Sequence, residues 1–555
     1  MNNYWWKEAI CYQIYPKSFY DTNGDGIGDL QGITKKLDYL KDLGVNVLWL
    51  CPVYKSPMDD NGYDISDYYH IDPQFGTDED MDKLIFEADK RGMKILMDLV
   101  INHTSDEHEW FEKALEDPNS KYADYYIFRE GKDGNPPNNW RSYFGGSAWE
   151  QVGNSNKYYL HAFSKKQPDL NWENSELREE LYEMVNYWLD KGLGGFRVDA
   201  ICNIKKTFCE GIYPPDGEDG LCFIGNWILN QEGIEEFLTE LKEKTFKPHN
   251  SMTVAESDVP KELLGKFIGK DGYFSMVFDF SYTDLDVPST GEWFKPVNWT
   301  VREMRDKIFQ SQLETQKIGW GAVYLENHDQ PRSLNKYIPS EDIGFESAAM
   351  LATMYFLLRG TPFIYQGQEL GMSNCRMDSM SEYDDIATHD QYHRAILSGL
   401  SEEQAMECMY RRSRDNSRTP FQWNNTKNAG FSTIKPWLKI NENYHTLNVQ
   451  NQIEDPASLL SYYKKLIALR KENDYKETIV HGEFIPCYTQ YDSVVAYKRM
   501  TKNSGILVIN NFSSQSCEVI LEDSVKEIVL SNYEDRLCNG NLYCFRPYEC
   551  IVFSL

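Results

Sequence analysis

Short apolar runs of strand length alternate with longer amphipathic stretches through most of the chain. One such stretch, LQGITKKLDYLKDLG, repeats apolar residues at helical spacing and ends at Gly44, a residue type that commonly terminates helices. Eight strand-like runs separate stretches of this kind: Cys11–Tyr15, Val45–Leu50, Lys94–Leu99, Gly195–Val198, Met252–Ala255, Phe274–Phe280, Ala322–Leu325 and Pro362–Tyr365. Eight strand–helix alternations predict an α/β fold, a (β/α)8 TIM barrel.

Two connections are longer than a plain barrel requires. Residues 104–171 follow the third strand, are rich in Trp, Tyr, Asn and Gly, and predict an inserted domain; an excursion of about 375–456 follows the eighth strand. From about residue 475 to 555, alternating runs such as SVVAYKRM and ECIVFSL predict a C-terminal antiparallel β-sandwich. The barrel is then expected to comprise residues 1–103 and 172–474.

The overall charge narrows the partners. The 555 residues carry a net charge of −29, which repels phosphate backbones and anionic membranes, so we expect neither nucleic acid nor membrane as a partner. No apolar run of about 18 residues predicts a membrane span or a signal peptide. The twelve cysteines lack pairing or metal-site spacing, which favours buried thiols and a cytoplasmic location. The sequence does not determine the oligomeric state, and a monomer is consistent with it.

Acidic residues stand at the ends of three of the predicted strands. Asp199 ends GGFRVDA, Glu256 follows SMTVA, and Asp329 lies in AVYLENHDQPR. Each alone fits a structural ion pair. Together, at the C-terminal rim of one barrel, they are suited to breaking a glycosidic bond. Arg197, two residues before Asp199 on the same strand face, would keep Asp199 ionised as a nucleophile, whereas the apolar strand before Glu256 would favour a protonated acid.

The segment DTNGDGIGDL has the spacing of a metal-binding loop. Its candidate ligands are Asp21, Asn23, Asp25, the Ile27 carbonyl and Asp29. The spacing matches the first nine positions of a calcium loop, although the Glu that closes an EF-hand is replaced by Gly32. We expect a structural Ca²⁺, or Mg²⁺ in its place; the alternative is a metal-free turn stabilised by Asp and Asn side chains.

Four ordered motifs carry a family resemblance. DLVINH (Asp98–His103), GFRVDA (Gly195–Ala200), VAES (Val254–Ser257) and ENHDQPR (Glu326–Arg332) resemble the sequence regions of the α-amylase family of glycoside hydrolases, family 13. QPDLN (Gln167–Asn171) resembles a fifth region, found in its oligo-1,6-glucosidase and α-glucosidase branch.

The resemblance implies a retaining, exo-acting α-glucosidase that removes glucose from short α-glucosides. It assigns Asp199 as nucleophile, Glu256 as acid/base and Asp329 as transition-state stabiliser. The implied substrate-binding residues are His103, Arg197 and His328 around the first glucose, Tyr63 beneath it, the pair Asp60 and Arg414 at the closed end, and Phe144, Phe163 and Gln167 along the pocket. The metal loop matches the family's calcium site.

Linkage preference depends on the residue after the nucleophile. In the family that the chain resembles, enzymes with Val at this position tend to favour α-1,6 bonds, and enzymes with smaller residues there tend to accept α-1,4 bonds. Ala200 therefore favours a broader specificity that includes α-1,4 glucosides and leaves sucrose open as a substrate. The chain departs from the family pattern at Leu325 and Glu326 and over Phe278–Trp293, which points to an unusual sixth strand and leaving-group wall.

Three alternatives remain. A sucrose isomerase or glucosyltransferase of this family carries arginines after the sixth strand, but Phe280–Pro296 contains none. A trehalose-6-phosphate hydrolase needs cations for the phosphate, and after Arg332 the sequence shows a lone Lys336. A non-catalytic amylase-like binding protein would lack one of the three carboxyls.

Overall fold

The computed structural model describes residues 4–208, 211–217, 219–257, 259–471, 473–536 and 540–555. Its centre is an eight-stranded parallel sheet that curves into a nearly closed barrel. The strands are β1 (Cys11–Ile14), β2 (Val47–Leu50), β3 (Lys94–Val100), β4 (Gly195–Asp199), β5 (Met252–Ala255), β6 (Met276–Val277), β7 (Ala322–Val323) and β8 (Thr361–Tyr365). The predicted (β/α)8 barrel is confirmed.

The strands pair in the order β6-β5-β4-β3-β2-β1-β8-β7, so the backbone ladder is open between β6 and β7. Both strands are two residues long, shorter than the sequence predicts. Side chains bridge this seam instead. The rings of Phe278 and Tyr324 meet edge to face at 4.9 Å, and the Tyr324 hydroxyl lies 3.1 Å from the Thr283 hydroxyl. Phe278, the first residue of the segment Phe278–Trp293, therefore lies at this seam.

In the part of the chain that the structure describes, eight helices cover the barrel, one after each strand. They are α1 (Leu30–Leu43), α2 (Asp78–Lys90), α3 (Ser175–Asp190), α4 (Ile234–Leu241), α5 (Lys261–Ile268), α6 (Val301–Ile318), α7 (Phe345–Phe356) and α8 (Leu459–Lys471). Helix α1 starts where the Asp29 carboxylate accepts the Gly32 N–H and ends at Gly44, whose φ of 103° is a left-handed conformation that favours glycine.

The region after β3 carries its own small sheet. Strands Phe128–Glu130, Lys157–Leu160 and Trp149–Gln151 form a three-stranded antiparallel sheet after the helix Glu109–Glu116. A further strand, Trp140–Arg141, pairs in parallel with Cys222–Phe223, which comes from the long segment after β4. No pattern in the sequence indicates that this third long connection packs against the insertion.

The segment after β8 is mainly helical and includes Ile386–Leu397, Glu402–Arg412 and Asp415–Arg418. The C-terminal strands begin at Glu483, because residues 473–481 form a helix where strands were expected. Five antiparallel strands follow in the order Glu483–Cys487, Val494–Met500, Gly505–Asn511, Cys550–Ser554 and Glu527–Ser531. The pair Cys517–Ile520 and Leu542–Phe545 shares one apolar core with this sheet, which gives the predicted sandwich.

The described residues contain neither a disulfide nor a helix suited to span a membrane. Their ten cysteines form no disulfide; Cys209 and Cys538 lie outside the described part of the chain. Among the helices described, none has both the length and the apolar character that a membrane span requires.

Candidate active site

Strand β4 brings a buried arginine into contact with three carboxylates. Arg197 is 1% exposed, and its Nη1 lies 2.6 Å from Asp98 Oδ1 and 2.6 Å from Asp199 Oδ1. Its Nη2 lies 2.6 Å from Glu256 Oε1. Alternate strand residues share a face, which explains why Arg197 and Asp199 both point into the barrel. One guanidinium therefore holds the predicted nucleophile and the predicted acid/base side by side.

Burial raises the pKa values of Asp199 and Glu256 above those of carboxyls in solution. It raises the pKa of Asp199 to about 6, against the lowering effects of Arg197 and of a hydrogen bond with Glu256. Burial, and next the negative charge of Asp199, raises the pKa of Glu256 to about 7, although Arg197 opposes the shift. Arg197 opposes the upward shift at both carboxyls, and burial outweighs it. Asp199 nevertheless loses its proton before Glu256.

Ala200 connects the two carboxyls through the backbone. It has a φ of 41°, in the left-handed region that a residue with a side chain rarely adopts. In this conformation its N–H donates to Glu256 Oε2 at 3.1 Å. The turn after the nucleophile therefore orients the acid/base.

Asp329 sits among cationic and hydrogen-bonding partners. Its Oδ1 lies 2.9 Å from Arg418 Nη2 and 3.1 Å from Arg414 Nη1, and its Oδ2 lies 3.0 Å from His328 Nε2. Burial alone would raise the pKa of Asp329, but His328, Arg414 and Arg418 outweigh it and hold the pKa well below the usual range. Asp329 is therefore a permanent anion at neutral pH.

A second buried network fixes His328 and Tyr63. The Gln13 amide donates to His328 Nδ1 at 2.8 Å, so the neutral ring carries its proton on Nε2, facing Asp329. The Tyr63 hydroxyl lies 2.6 Å from His328 Nε2 and 3.0 Å from Asp98 Oδ2, and the Tyr63 and His328 rings stack at 5.4 Å. Burial lowers the pKa of His328, which favours the neutral form.

The structure also brings Asp60 and Arg414 together. Arg414 Nη2 lies 3.1 Å from Asp60 Oδ1 and 2.6 Å from Asp385 Oδ1. The Gln167 amide donates to Asp60 Oδ2 at 3.2 Å and lies 3.2 Å from His103 Nε2. These contacts join the loops after β2, β3 and β8 and close one end of the site.

Half-buried aromatic rings stand at the edge of this closed end. The ring of Phe163 lies 5.3 Å from His103 and 5.6 Å from Phe144, and the Arg414 guanidinium lies 5.4 Å from the Phe144 ring. Flat apolar faces in this position are suited to packing on a sugar ring. All the predicted substrate-binding residues therefore belong to one connected cluster.

One sequence-based expectation about charge is wrong. Lys336 is not a lone cation, because the segment after β8 places Arg412 beside it and the positive charge of Arg412 helps burial to lower the pKa of Lys336 to about 7. Gln330 bridges them, since its Oε1 accepts from Lys336 and, at 3.2 Å, from Arg412 Nη1. Sequence proximity could not reveal this contact between distant segments.

Other site residues were not predicted. Gln13 stands inside an apolar strand, where an isolated amide was the available signal. Arg418 follows Arg414 by four residues, so the two can share one face of a helical turn. Asp385 precedes a helix whose first amides it caps, and only the structure shows that it also holds Arg414.

The predicted metal loop has oxygen donors only. Asp21 accepts the N–H groups of Gly24 and Gly26 at 2.7 and 2.9 Å, and Asn23 Nδ2 lies 2.9 Å from Asp25 Oδ2. Within the described ranges, no group of three or more His, Cys, Asp or Glu side chains is arranged to hold a metal ion. A cation here therefore requires the Asn23 and Ile27 carbonyls as well. These hard oxygen atoms are the ligand type that Ca²⁺ and Mg²⁺ prefer. The metal site stays a prediction.

Comparison with known proteins decides the family. Residues 13–482 match the model of the alpha amylase catalytic domain, and residues 494–552 match the alpha-amylase SusG C-terminal domain. The chain belongs to the α-amylase family of glycoside hydrolases. It retains the three carboxyls at the rim, unlike the non-catalytic members considered above.

Relatives within the α-amylase family are similar over the full chain. The chain is 45% identical to an oligo-1,6-glucosidase of Parageobacillus thermoglucosidasius, covering 100% of both chains. It is 41% identical to a trehalose-6-phosphate hydrolase of Bacillus subtilis, covering 99% of this chain and 98% of the relative. An isomaltulose synthase structure from Klebsiella sp. LX3 superposes with a TM-score of 0.94 at 39% identity, covering 99% of each chain.

Proposed function

We propose that the chain is a retaining, exo-acting α-glucosidase that releases glucose from the non-reducing end of short α-1,4- and α-1,6-linked glucosides. The observation that carries this proposal is the contact of one guanidinium, Arg197, with both Asp199 and Glu256. Such contact fits the short carboxyl separation of retaining enzymes, roughly 5–5.5 Å, better than the roughly 6.5–9.5 Å of inverting enzymes.

In the first step, an Asp199 carboxylate oxygen forms a bond to the anomeric carbon while the glycosidic C–O bond breaks. The electron pair stays on the leaving oxygen, which takes the proton of Glu256. In the second step, ionised Glu256 takes a proton from water, the water oxygen bonds to the same carbon, and Asp199 leaves as a carboxylate. Asp329, held anionic by His328, Arg414 and Arg418, stabilises the positive charge that develops on the sugar ring.

The closed end supports exo action. The Asp60–Arg414 pair stands beyond Asp329, and Gln167 and His103 complete the barrier. A chain that continued past the first glucose at its non-reducing side would meet this pair. The site therefore suits a terminal glucose with its leaving group directed toward the opposite, open side.

Release of glucose from an aryl α-glucoside tests the proposal. We expect turnover by the wild-type chain and a loss of about 10³-fold or more for Asp199→Asn, because this change removes the nucleophile and keeps its shape. Asp306→Asn, which removes one charge from an exposed position of α6, is the matched control and should keep full activity. Wild-type activity in the Asp199 variant would contradict the assignment.

The relatives leave the linkage open. The similarity to proteins named oligo-1,6-glucosidase and glucan 1,6-alpha-glucosidase supports α-1,6 activity for this chain. The small Ala200 side chain supports acceptance of α-1,4 bonds as well. Isomaltulose synthases and trehalose-6-phosphate hydrolases share the scaffold, so product analysis on maltose, isomaltose, sucrose and trehalose 6-phosphate separates the candidates. Free glucose as the main product from the first two sugars supports hydrolysis.

We also propose a structural Ca²⁺ in the loop of Asp21, Asn23, Asp25, Ile27 and Asp29, with Mg²⁺ as the alternative ion. When bound, the ion would fix the turn that precedes α1 and supply no chemistry to the reaction. The carboxylate and amide oxygens of the loop, and the N-capping role of Asp29 in α1, support this role.

A cytoplasmic location is a further proposal. None of the ten described cysteines forms a disulfide, and most of them are buried. Free thiols persist most readily in a reducing compartment. The net charge of −29 supports small neutral sugars rather than nucleic acid as partners.

A further inference from the structure

A compact charge network surrounds Arg412, two residues before Arg414. Arg412 Nη2 lies 2.6 Å from Asp284 Oδ1, and Arg412 Nη1 lies 3.2 Å from Asp286 Oδ1. Gln330, which directly follows Asp329, donates to Asp284 Oδ1 at 2.9 Å. Lys336 completes the network, since its Nζ donates to Gln330 and, at 2.8 Å, to the Thr283 carbonyl.

Strand order points to a position for this network near the leaving group. Strand β6 pairs with β5, which ends next to Glu256, so the segment after β6, which carries Asp284 and Asp286 further along, begins beside the acid/base. Gln330 adjoins Asp329, and Arg412 stands two residues before Arg414. Since Glu256 protonates the leaving oxygen, the wall between the β5 and β7 loops faces the sugar that departs.

Solvent exposure increases from the arginine to the two carboxylates of the network. The Arg412 side chain is 6% exposed, whereas the Asp286 and Asp284 side chains are 14% and 40% exposed. The carboxylates therefore stand between the buried guanidinium and the solvent. An anionic ligand that approached this wall would meet Asp284 first and would have to displace a carboxylate to reach a cation.

We propose that Asp284 and Asp286 form an acidic screen over Arg412 and Lys336 that excludes phosphorylated sugars from the leaving-group side. The inference rests on the proposed function and deepens it: the chain discriminates neutral glucosides from glucosides whose departing sugar carries a phosphate. Without the screen, Arg412 would supply the permanent positive charge that phosphate recognition needs, because burial and Arg412 lower the pKa of Lys336. The screen is thus a specificity element built into a scaffold shared with trehalose-6-phosphate hydrolases.

Calorimetric binding of trehalose 6-phosphate and trehalose tests the screen. Binding is measured in an Asp199→Asn background, with and without the added pair Asp284→Asn and Asp286→Asn. Removing these two negative charges should tighten trehalose 6-phosphate binding about tenfold or more at low ionic strength, and salt should reduce the gain. Trehalose affinity should change less than about twofold, because a neutral sugar does not interact with the net charge of the wall.

Two control variants complete the design. Asp284→Glu keeps the charge and should keep the rejection of trehalose 6-phosphate, whereas Asp306→Asn removes one negative charge, half the change made by the pair, on α6 and should leave both affinities unchanged. Equal trehalose 6-phosphate affinity with and without Asp284 and Asp286 would overturn the screen. Absence of glucose release from an aryl α-glucoside by the wild-type chain would instead overturn the proposed function, and the calorimetric comparison would still decide the screen.

Discussion

The backbone N–H of Ala200 donates to Glu256 Oε2 at 3.1 Å, so the residue that follows the nucleophile is bonded to the acid/base. The bond depends on the left-handed conformation of Ala200, with φ 41° and ψ 30°. The side chain at this position therefore affects both the room beside the leaving group and the orientation of Glu256. This relationship makes Ala200 a sensitive point for substitution.

Substitution of Ala200 by Val should narrow specificity. Ala200 already bears the cost of the left-handed conformation, about 1–2 kcal/mol for an L-residue, and the β-branch of Val adds to it. The thermal midpoint should therefore fall, and the added methyl groups should reduce kcat/KM for maltose more than for isomaltose. Steady-state kinetics on both disaccharides measure the ratio. Ala200→Gly, which has no steric cost at this φ, serves as the control and should not lower the maltose-to-isomaltose ratio. An unchanged ratio in the Val variant would show that residue 200 does not set linkage preference.

The pH dependence should be bell-shaped. Asp199, with a pKa of about 6, acts in its ionised form, so activity should fall as the pH drops below that value. Glu256, with a pKa of about 7, acts in its protonated form, so activity should fall as the pH rises above that value. We expect kcat/KM to peak between these two pKa values.

Glu256→Gln gives the matched control for this profile. On an aryl glucoside whose leaving group needs no proton, glycosylation by the variant should keep the acidic limb and lose the basic limb. A basic limb that persisted unchanged in the variant would assign that limb to another group.

Asp60→Asn should weaken recognition of the terminal glucose. The Asp60 carboxylate is buried, and Arg414 would keep its contacts with Asp385 and Asp329, so the fold should persist. Loss of charge-assisted hydrogen bonds to sugar hydroxyls, about 1.5–3 kcal/mol, predicts a drop in kcat/KM of about 10- to 100-fold. Asp384→Asn, in a half-exposed neighbour that contacts Asn61, should retain activity within about twofold. Equal kinetics for the two variants would contradict the closed-end role of Asp60.

Metal removal should lower stability without changing the chemistry. An ion that binds only the folded chain adds about 2.7 kcal/mol at a concentration 100-fold above its Kd. Calcium should therefore raise the thermal midpoint of the wild-type chain and a chelator should lower it, whereas Asp25→Asn should reduce both effects. Asp306→Asn should respond like the wild type. Thermal midpoints insensitive to calcium and chelator would favour the metal-free turn, and a response to Mg²⁺ alone would identify the other ion.

The barrel and the rim carboxyls were predictable because both depend on local patterns. Asp199 and Glu256 follow apolar strands, and strand ends in a parallel barrel share one rim. The seam between β6 and β7 was harder to predict from the sequence, since Phe278 and Tyr324 close it through a ring contact rather than a backbone ladder. The strand pattern alone does not distinguish these two forms of closure.

Long-range charge contacts account for most of what the sequence did not show. Arg412 reaches Lys336 and Asp284 because the excursion after β8 folds back over the rim. Gln13 acts through His328 from a strand that otherwise appears purely structural. No periodicity or spacing relates such distant positions, so their grouping required coordinates.

Covalent trapping tests the central claim most directly. A fluorinated α-glucosyl fluoride that glycosylates the enzyme quickly and leaves it slowly should add one glucosyl group to the intact chain. Peptide mapping by mass spectrometry should then place that group on Asp199, as a retaining mechanism with this nucleophile requires. Glucose release without a trapped adduct and with inverted anomeric configuration, or an adduct on any residue other than Asp199, would contradict the account.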